Sequence, residues 1–265
     1  MKHKLKTVWG MMRTYKNWVR LILYKMKILP GATTVKIRSG AKFYIRNKMD
    51  QDSDLYIINE SYLYGIHDDI LPYIKNAKIG IDIGAHIGTF TVFAAQNSSA
   101  KIYAVEPEDD NLELLKKHIA LNGFTDRIIP VEGIVAKESG EREFYVAKNR
   151  GLSSLFKDHP GKYGGTGISS VKKVKSFSMK DLFETYHIDF CDFMKMDTEG
   201  AEYEIFYDLP REMYDRIGVM GIEIGGESDR DALVEHIRDM GFTVTRPRPE
   251  FNEYFCVNNR LLKML

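Results

Sequence analysis

The sequence predicts an α/β protein with a mostly parallel sheet that carries helices on both faces. Apolar runs typical of buried strands alternate with amphipathic helical segments from residue 79 to the carboxyl end. A glycine-rich turn follows the first of these runs, and an acidic residue ends the second. Because parallel strands need crossover connections, their carboxyl ends lie at one edge of the sheet, where ligands bind.

The composition is that of a globular protein. The chain has 265 residues, of which 44% are hydrophobic and 28% charged. This excludes intrinsic disorder and a membrane-spanning bundle, and the length corresponds to about one to two domains. Cys191 and Cys256 are too few for a disulfide framework, and no Cys or His run has zinc-ligand spacing. We therefore expect a cytoplasmic protein in which both thiols are packed.

The first 49 residues form a basic module, with thirteen Lys or Arg and no Asp or Glu, whereas the other 216 residues carry 25 basic and 37 acidic side chains. The spacing of its apolar residues predicts one amphipathic helix, with a stripe of Val8, Met11, Met12, Tyr15, Trp18, Val19, Ile22, Leu23 and Met26. Interspersed charges argue against a transmembrane span or a signal peptide. Two interpretations stay open: residues 1–29 lie on an anionic membrane surface at its inner face, or the helix docks on the acidic domain.

The next elements are predicted in chain order. Short alternating runs around Ser39-Gly40 indicate a β-hairpin, and an acid-rich stretch is expected to be helical around Leu55 to Asn59. Residues 1–70 are thus predicted to hold the basic helix, the hairpin and a lid region, and residues 71–265 to form the sheet domain. Between about residues 138 and 180 the alternation breaks, which predicts an inserted hairpin with a mobile, Gly-rich tip.

The turn after the first strand of the sheet carries the main chemical signal. It holds Asp82, Gly84 and Gly88, and Glu106, followed by Pro107, ends the next strand twenty-four residues after Asp82. An acidic side chain at that point accepts the hydroxyls of a ribose. The spacing G-x-x-x-G differs from a dinucleotide fingerprint, and an acid beside the turn repels a pyrophosphate but suits an ammonium group. The pattern predicts S-adenosylmethionine, a phosphate-free adenosine compound.

A second group of acids is expected at the same edge. Asp197 ends an apolar strand, Glu199 and Glu202 follow it, and Glu223 ends the next strand. Methyl transfer to a hydroxyl needs aligned reactants and an acceptor for the proton. We predict that Asp197 or Glu223 is the base or holds a divalent metal, with His86 as a further candidate base and metal dependence left open. Glu199 has a helix-capping role as its alternative.

These motifs resemble the FkbM-type S-adenosylmethionine-dependent methyltransferases. The resemblance runs from about residue 38 to 245 and rests on the segments IDIGAHIGTFT, VEPEDDNLELLKKHIALN, GLSSLF and KMDTEGAEYEIF. It implies a Rossmann-like class I methyltransferase sheet of seven strands, the last antiparallel, and O-methyl transfer to a sugar, glycan, lipid-linked or natural-product hydroxyl. It also implies cofactor contacts by Asp82, Gly84, Ala85, Gly88, Glu106, Pro107 and Asp197.

Other residues close to these motifs complete the predicted site. Further cofactor contacts are expected from Glu60, His86, Thr89, Phe90, Asn111, Glu132 and Gly133. Acceptor contacts are expected from Ser153, Ser154, Glu199 and Glu202. The competing interpretation of the serines is that they form turns in a Gly-rich loop, and that of Glu132 is a plain strand end.

Several functions stay open. The leading hypothesis is an O-methyltransferase for a small-molecule, saccharide or lipid-linked acceptor, with the basic helix beside an anionic membrane. A second is methylation of RNA ribose by an enzyme whose basic arm contacts phosphates, although nucleic acid is the less favoured partner. A third is a cofactor-binding interaction module without catalysis, which the gathered carboxylates disfavour. A nicotinamide oxidoreductase is the remaining enzyme class. The sequence identifies neither the acceptor nor the oligomeric state.

Overall fold

The central sheet of the computed structural model has seven strands. In spatial order they are β5 (Ile128–Glu132), β4 (Lys101–Glu106), β3 (Ile79–Ile83), β9 (Cys191–Met196), β10 (Ile217–Glu223), β12 (Glu253–Asn258) and β11 (Phe242–Thr245). Strand β12 runs antiparallel to both of its neighbours, and the other adjacent pairs are parallel. The predicted fold class is therefore confirmed. The structure describes residues 2–26, 28–29, 33–46, 53–148, 153–158, 167–225 and 229–262.

The central strands read as continuous apolar runs because helices cover both faces of the sheet. In β3 every residue after Ile79 is buried. Gly80 lies against the ring of Phe193 in β9, and a Cβ atom at position 80 would overlap that ring. At the edge of the sheet, β5 contains Pro130, which an edge strand tolerates because proline has no N–H to donate to a further strand. Local composition thus fixes which strands lie in the centre.

Eight helices follow from residue 71 within the described ranges. They are α4 (Leu71–Ile74), α5 (Thr89–Asn97), α6 (Asp109–Leu121), α7 (Met179–Thr185), α8 (Glu202–Asp208), α9 (Arg211–Tyr214), α10 (Arg230–Asp239) and α11 (Asn259–Leu262). Side-chain caps start two of them: the Glu108 carboxylate accepts from the backbone N–H of Asn111, and the Ser178 hydroxyl accepts from that of Asp181. Apolar clusters around Met194 and around Phe90 fill the two sides of the sheet.

The N-terminal module holds α1 (Lys2–Thr14), α2 (Trp18–Lys25), the hairpin β1 (Thr33–Lys36) and β2 (Lys42–Ile45), and α3 (Ser53–Asn59). A π-helical segment (Glu60–Tyr64) and a 3-10 turn (Asp68–Ile70) continue from α3 toward the sheet. The predicted single helix is wrong because the chain breaks between α1 and α2. There Tyr15 forms a β-bridge with Ile37, and the Asn17 side chain bonds to the backbone of the hairpin at Thr34 and Lys36.

The module packs on the sheet domain through one apolar cluster. Met11, Tyr15 and Leu21 are buried in it together with Val92 of α5 and Leu114 of α6. One face of the two helices is therefore docked on the sheet domain, as the second interpretation predicts. Leu21, which lies off the predicted stripe, is buried, whereas three stripe residues are exposed: Met12, Val19 and Met26. Trp9, which also lies off the stripe, is exposed as well. Among the described helices, none has the length and hydrophobicity needed to cross a bilayer.

The inserted region forms a small sheet of its own. Strands β7 (Gly140–Ala147) and β8 (Ile168–Phe177) make the predicted antiparallel hairpin, and β6 (Ile134–Val135) adds a third strand parallel to β8. Part of the predicted Gly-rich tip, residues 149–152 and 159–166, lies outside the described residues. The described part between those gaps turns back onto the hairpin, where Ser154 and Tyr145 exchange two backbone hydrogen bonds.

Candidate active site

A cavity of about 340 Å³ opens at the carboxyl edge of β3, β4 and β9. Its wall contains residues from the N-terminal module, from the turn between β3 and α5 (residues 84–88, called the cofactor turn below), from the inserted sheet and from the ends of β9 and β10. The predicted site residues that line it are Glu60, Asp82, Gly84, Ala85, His86, Thr89, Phe90, Glu106, Pro107, Asn111, Gly133, Ser153, Asp197, Glu199 and Glu223. The predicted site residues outside the cavity wall are Gly88, Glu132, Ser154 and Glu202.

The turn between β3 and α5 is held by backbone bonds. The backbone N–H groups of Gly84 and Ala85 both donate to the carbonyl oxygen of Val105. Gly84 has a φ of +75°, and a Cβ atom there would overlap the carbonyl oxygen of Asp197. The neighbouring strand end therefore requires glycine at this position, independently of any ligand. Gly88, with a φ of +83°, is the N-cap of α5, so its role is in helix packing rather than in the cavity wall.

Asp82 is buried at the base of this turn, with 1% of its surface exposed. Its Oδ2 accepts a hydrogen bond of 2.5 Å from the Thr91 hydroxyl, and its Oδ1 has no hydrogen-bond partner among the described residues. Burial raises the pKa of Asp82, and the nearby Lys195 acts in the opposite direction. A buried carboxylate with one uncommitted oxygen in a cavity wall is a suitable partner for a cationic group.

Glu106 ends β4 with its carboxylate fixed by three donors. Oε2 accepts from the backbone N–H of His86 at 2.7 Å, and Oε1 accepts from the backbone N–H of Glu108 at 2.9 Å and from Asn111 Nδ2 at 3.4 Å. Burial raises its pKa to about 7 in spite of these donors. The remaining lone pairs of the carboxylate can accept hydroxyl donors from a ligand.

The N-terminal hairpin supports the same wall. Arg46, just after β2, donates from Nη1 to the Asn111 side-chain oxygen at 2.9 Å and forms an ion pair of 2.6 Å with Asp54. Desolvation opposes ionisation of Asp54, but its hydrogen bonds and charge attraction with Arg46 leave its pKa below the ordinary value. The chain of contacts from Asp54 through Arg46 and Asn111 to Glu106 makes the module part of the site.

Apolar side chains of the inserted region line one end of the cavity: Ile134, Val135, Phe144 and Leu155. The two serines of the GLSSLF segment have bonds within the fold. Ser153 Oγ accepts from the backbone N–H of Ala147, and the fully buried Ser154 donates from Oγ to the carbonyl oxygen of Glu199 at 2.6 Å. Ser154 thus lies outside the cavity wall and joins the insert to the loop after β9, and its acceptor contact stays a prediction.

That loop is closed by Glu202. Its carboxylate accepts from the backbone N–H and the hydroxyl of Thr198 and from the backbone N–H of Gly200. Glu202 is buried, lies outside the cavity wall and stabilises the turn through these contacts, and its acceptor contact stays a prediction. Glu199, the residue for which capping was the alternative, has a φ of +54° and lines the cavity. Glu132, exposed at the end of β5, has no place in the wall.

Lys195 is the main site residue that the sequence reasoning missed. Its Nζ lies 3.0 Å from Asp197 Oδ2, and the pairing register places it beside Asp82 of β3 and Gly221 of β10. Desolvation is outweighed by the charges of Asp197, Asp82 and Glu223, so the pKa of Lys195 is raised and the amine stays protonated. The available signal was a lysine between two methionines, Met194 and Met196, in a mostly apolar strand.

The other acids around Lys195 hold protons more tightly than usual. The charge of Asp197 and burial raise the pKa of Glu223 well above its ordinary value, and burial raises that of Glu199. Burial also raises the pKa of Glu60, to about 7. Within the described ranges, no group of three or more His, Cys, Asp and Glu side chains has an arrangement that could hold a metal ion. The end of the cavity at β9 and β10, called the acceptor end below, is thus lined by acidic side chains around one amine, that of Lys195.

Three histidines have defined places in or near the site. Both ring nitrogens of His86 are buried without a hydrogen-bond partner in the part of the chain that the structure describes, and burial lowers its pKa to about 4. His67, also missed, lines the cavity, with Nδ1 3.0 Å from Glu253 Oε1 and its ring edge on Phe90. His67 and His118 are both buried, which nothing in the sequence around them indicates.

Comparisons with known proteins identify the family of the chain. A family model described as the methyltransferase FkbM domain matches residues 82–254. The methyltransferase sdnD of Sordaria araneosa is 23% identical over 196 residues, which cover 64% of this chain and 76% of that protein.

Similar solved structures include the N-terminal domain of human METTL16 in complex with SAH, with a TM-score of 0.41 and 15% identity over 78% of this chain and 68% of that chain. Another is precorrin-6y C5,15-methyltransferase from Geobacter metallireducens, with a TM-score of 0.43 and 12% identity over 73% of this chain and 86% of that chain. The family model covers more than half of the chain and includes Asp82, Glu106 and Asp197. The chain therefore belongs to the FkbM methyltransferase family, as its motifs predict.

Proposed function

We propose that the protein is an S-adenosylmethionine-dependent O-methyltransferase that acts on a hydroxyl of a sugar, glycan or lipid-linked acceptor. Membership of the family supports methyl transfer. One observation supports the choice of cofactor: the cavity wall contains two buried carboxylates, those of Glu106 and Asp82. The turn between β3 and α5, residues 84–88, contains no Lys or Arg that could bind a phosphate. Carboxylates at these places suit a ribose and an ammonium group and oppose a pyrophosphate.

The residues present fit S-adenosylmethionine. Glu106 would hold the ribose hydroxyls, and Asp82 Oδ1, which has no partner among the described residues, would hold the methionyl ammonium. The apolar end formed by Ile134, Val135 and Phe144 would take the adenine. When bound, this cofactor supplies a methyl group activated by a sulfonium centre. The tight turn at Gly84 keeps side chains out of the space beside Asp197.

The acceptor end favours a polyhydroxyl compound over a nucleic acid. Its wall contains several carboxylates and one amine: Glu60, Asp197, Glu199, Glu223, Glu253 and Lys195. Carboxyl groups exchange hydrogen bonds with sugar hydroxyls whether ionised or protonated, whereas each ionised one repels the phosphates that flank a ribose in RNA. This charge distribution supports a saccharide acceptor and argues against RNA ribose methylation.

We assign acceptance of the hydroxyl proton to Glu223. Asp197 is committed to Lys195 at 3.0 Å, whereas Glu223 lines the cavity at the end of β10. The negative charge of Asp197 raises the pKa of Glu223, which makes the ionised carboxylate a stronger base. Lys195 would hold the Asp197 side chain in place at 3.0 Å, so Asp197 acts as a positioning residue. His86, neutral near pH 7, is the alternative base.

The test begins with the cofactor and continues with the acceptor. Calorimetry should register binding of S-adenosylmethionine and none of NAD, and the purified protein should release S-adenosylhomocysteine with a fraction of a glycan or glycolipid extract. Glu223→Gln should lower turnover with that fraction at least about 100-fold while S-adenosylhomocysteine still binds. The exposed Glu212→Gln of α9 is the control and should keep full turnover.

Each negative result points elsewhere. Cofactor binding without product from any extract would support the interaction module instead of an enzyme. Product only with RNA would support ribose methylation. Heat with NAD and none with S-adenosylmethionine would overturn the assignment of the cofactor.

A further inference from the structure

The outward faces of α1 and α2 carry apolar side chains that the docked faces do not use. Five of the thirteen exposed large hydrophobic side chains of the described chain lie between residues 9 and 28: Trp9, Met12, Val19, Met26 and Ile28. Trp9 has 60% of its surface exposed. The opposite faces are buried through Met11 in α1 and Leu21 in α2, and Tyr15 is buried between the two helices. Both helices therefore have a second apolar face that the described residues leave open.

The same helices carry positive charge without counter-charge. Arg13 stacks over the ring of Trp9 at 4.4 Å, and Lys16, Arg20 and Lys25 are exposed. Within the described ranges, none of the Lys and Arg side chains between residues 13 and 42 forms an ion pair with a carboxylate. The module as a whole has thirteen basic and no acidic residues up to position 49. This surface therefore presents a net positive potential to a partner.

We propose that the outward faces of α1 and α2 bind an anionic lipid bilayer. The apolar side chains Trp9, Met12 and Val19 would enter the boundary between headgroups and acyl chains, and the basic side chains would lie on the lipid phosphates. A Trp beside an Arg is typical of the interface zone of a membrane, where the ring has an apolar and a polar side. Binding to a bilayer through these side chains would hold the enzyme beside a lipid-linked acceptor, if the proposed function is right about the acceptor class.

The apolar residues decide between a bilayer and RNA. Both partners offer phosphates to the basic side chains, so charge alone does not distinguish them. Exposed aliphatic side chains such as Met12, Val19 and Met26 gain free energy only where water is excluded, as at acyl chains. The combination of exposed apolar and basic side chains in the same stretch of chain favours the bilayer.

The experiment uses the full chain and vesicles of two compositions. Cosedimentation with phosphatidylcholine–phosphatidylglycerol vesicles should be strong at low salt and weaker as salt is raised, and it should be absent with phosphatidylcholine alone. The chain has two Trp, so a Trp18→Phe variant leaves Trp9 as the single Trp reporter. Its emission should shift to shorter wavelength when anionic vesicles are added.

A matched pair of variants separates insertion from a general loss of hydrophobicity. Val19 in α2 and Val171 in β8 are each 51% exposed. Val19→Gln should weaken binding to anionic vesicles about tenfold, since one buried Val side chain contributes about 1.5 kcal/mol. Val171→Gln should leave it unchanged. Thermal unfolding of both variants checks that neither is misfolded.

Three outcomes would overturn the proposal. One is equal effects of the two substitutions on vesicle binding by folded variants. Another is sedimentation that does not depend on phosphatidylglycerol. The third is a salt-sensitive mobility shift with RNA in the absence of any vesicle binding, which would assign the basic surface to nucleic acid. None of these results bears on cofactor binding, so the membrane proposal and the enzyme assignment fail separately.

Discussion

The α-carbon of Gly84 faces the carbonyl oxygen of Asp197 so closely that a Cβ atom at position 84 would overlap it. The contact joins the cofactor turn after β3 to the end of β9, and the backbone N–H of Asp197 donates to the carbonyl oxygen of Ile83 at 3.0 Å beside it. The two strand ends that form the floor of the cavity are therefore fixed relative to each other by backbone atoms alone.

Gly84→Ala should destabilise the fold strongly because a methyl group meets an immobile backbone oxygen. We expect a loss of about 3 kcal/mol in the free energy of unfolding. Gly123 is a matched control, with a φ of +74° against +75° at Gly84 but no atom within 4 Å of an added Cβ. Gly123→Ala should lose only about 1 kcal/mol, the cost of the positive φ. If urea denaturation gave equal losses of unfolding free energy for the two variants, the close contact between Gly84 and the Asp197 carbonyl oxygen would not contribute to stability.

Binding of adenosine should depend on the ionisation of Glu106. Its pKa is raised to about 7 by burial, and the ribose hydroxyls need an ionised acceptor. Affinity for adenosine, which does not titrate near neutral pH, should rise between about pH 5.5 and pH 7 and then level off. Glu106→Gln should bind weakly at every pH, and the exposed Glu113→Gln of α6 should behave like the wild type. Calorimetry at several pH values measures this, and a flat wild-type profile would contradict it.

The same raised pKa has a consequence for stability. The unfolded chain ionises Glu106 near pH 4.5, whereas the folded chain does so near pH 7. The contribution of Glu106 to stability is thus fully present below about pH 4.5 and is lost as the pH rises toward 7. The free energy of unfolding of Glu106→Gln, measured relative to the wild type, should therefore increase over this interval.

Removal of Lys195 should leave Asp82, Asp197 and Glu223 without their shared counter-charge. Lys195→Met should cost about 3 kcal/mol of stability, because the side chain is 14% exposed and the acids around it stay desolvated. The double variant with Asp197→Asn should lose less than the sum of the single losses. Lys117→Met, which breaks the exposed pair with Glu113, should show no measurable loss. Strict additivity at Lys195 and Asp197 would show that the two groups are not coupled.

His118 should prove to be a structural residue. Its Nδ1 lies 2.7 Å from the carbonyl oxygen of Ile87, and its Nε2 accepts from the backbone N–H of Tyr44 at 2.8 Å. His118→Phe should cost about 3 kcal/mol, since it leaves both backbone groups without a partner. Burial lowers the pKa of His118, so its contribution is present above about pH 6.5 and is lost as the pH falls. The stability gap to the variant should narrow in acid, and a gap that widens would contradict this assignment.

The sequence predicted the elements whose causes are local. The strands of the central sheet follow from apolar runs such as the one that ends at Glu106, and the cofactor turn follows from its glycines and adjacent acid. The break between α1 and α2 was missed because Tyr15 pairs with Ile37, a contact between distant parts of the chain. The helical spacing of the apolar residues from Val8 to Met26 continues through that break, so the sequence pattern does not show where α1 ends.

The site was predicted where one motif supplies both position and chemistry. Asp82 and Glu106 lie at strand ends that the pattern defines, so their place in one cavity could be expected. His67 and Glu253 meet across 186 positions, and nothing in either segment marks a partner. The motif predicts a contact between Glu202 and the methyl acceptor, but it does not predict the hydrogen bonds of Glu202 to Thr198 and Gly200. Those bonds depend on the local backbone after β9, which the motif alone does not specify.

The contacts of Arg46 and Tyr44 set a lower limit on how far the protein can be shortened. A truncated chain that starts at residue 71 would lose the hydrogen bonds that Asn111 and His118 make with the hairpin. It would also uncover Val92 and Leu114, which now pack under the N-terminal helices. Such a fragment should aggregate on expression, although it contains every position matched by the family model. The boundary of the recognised domain is therefore not the boundary of the folding unit.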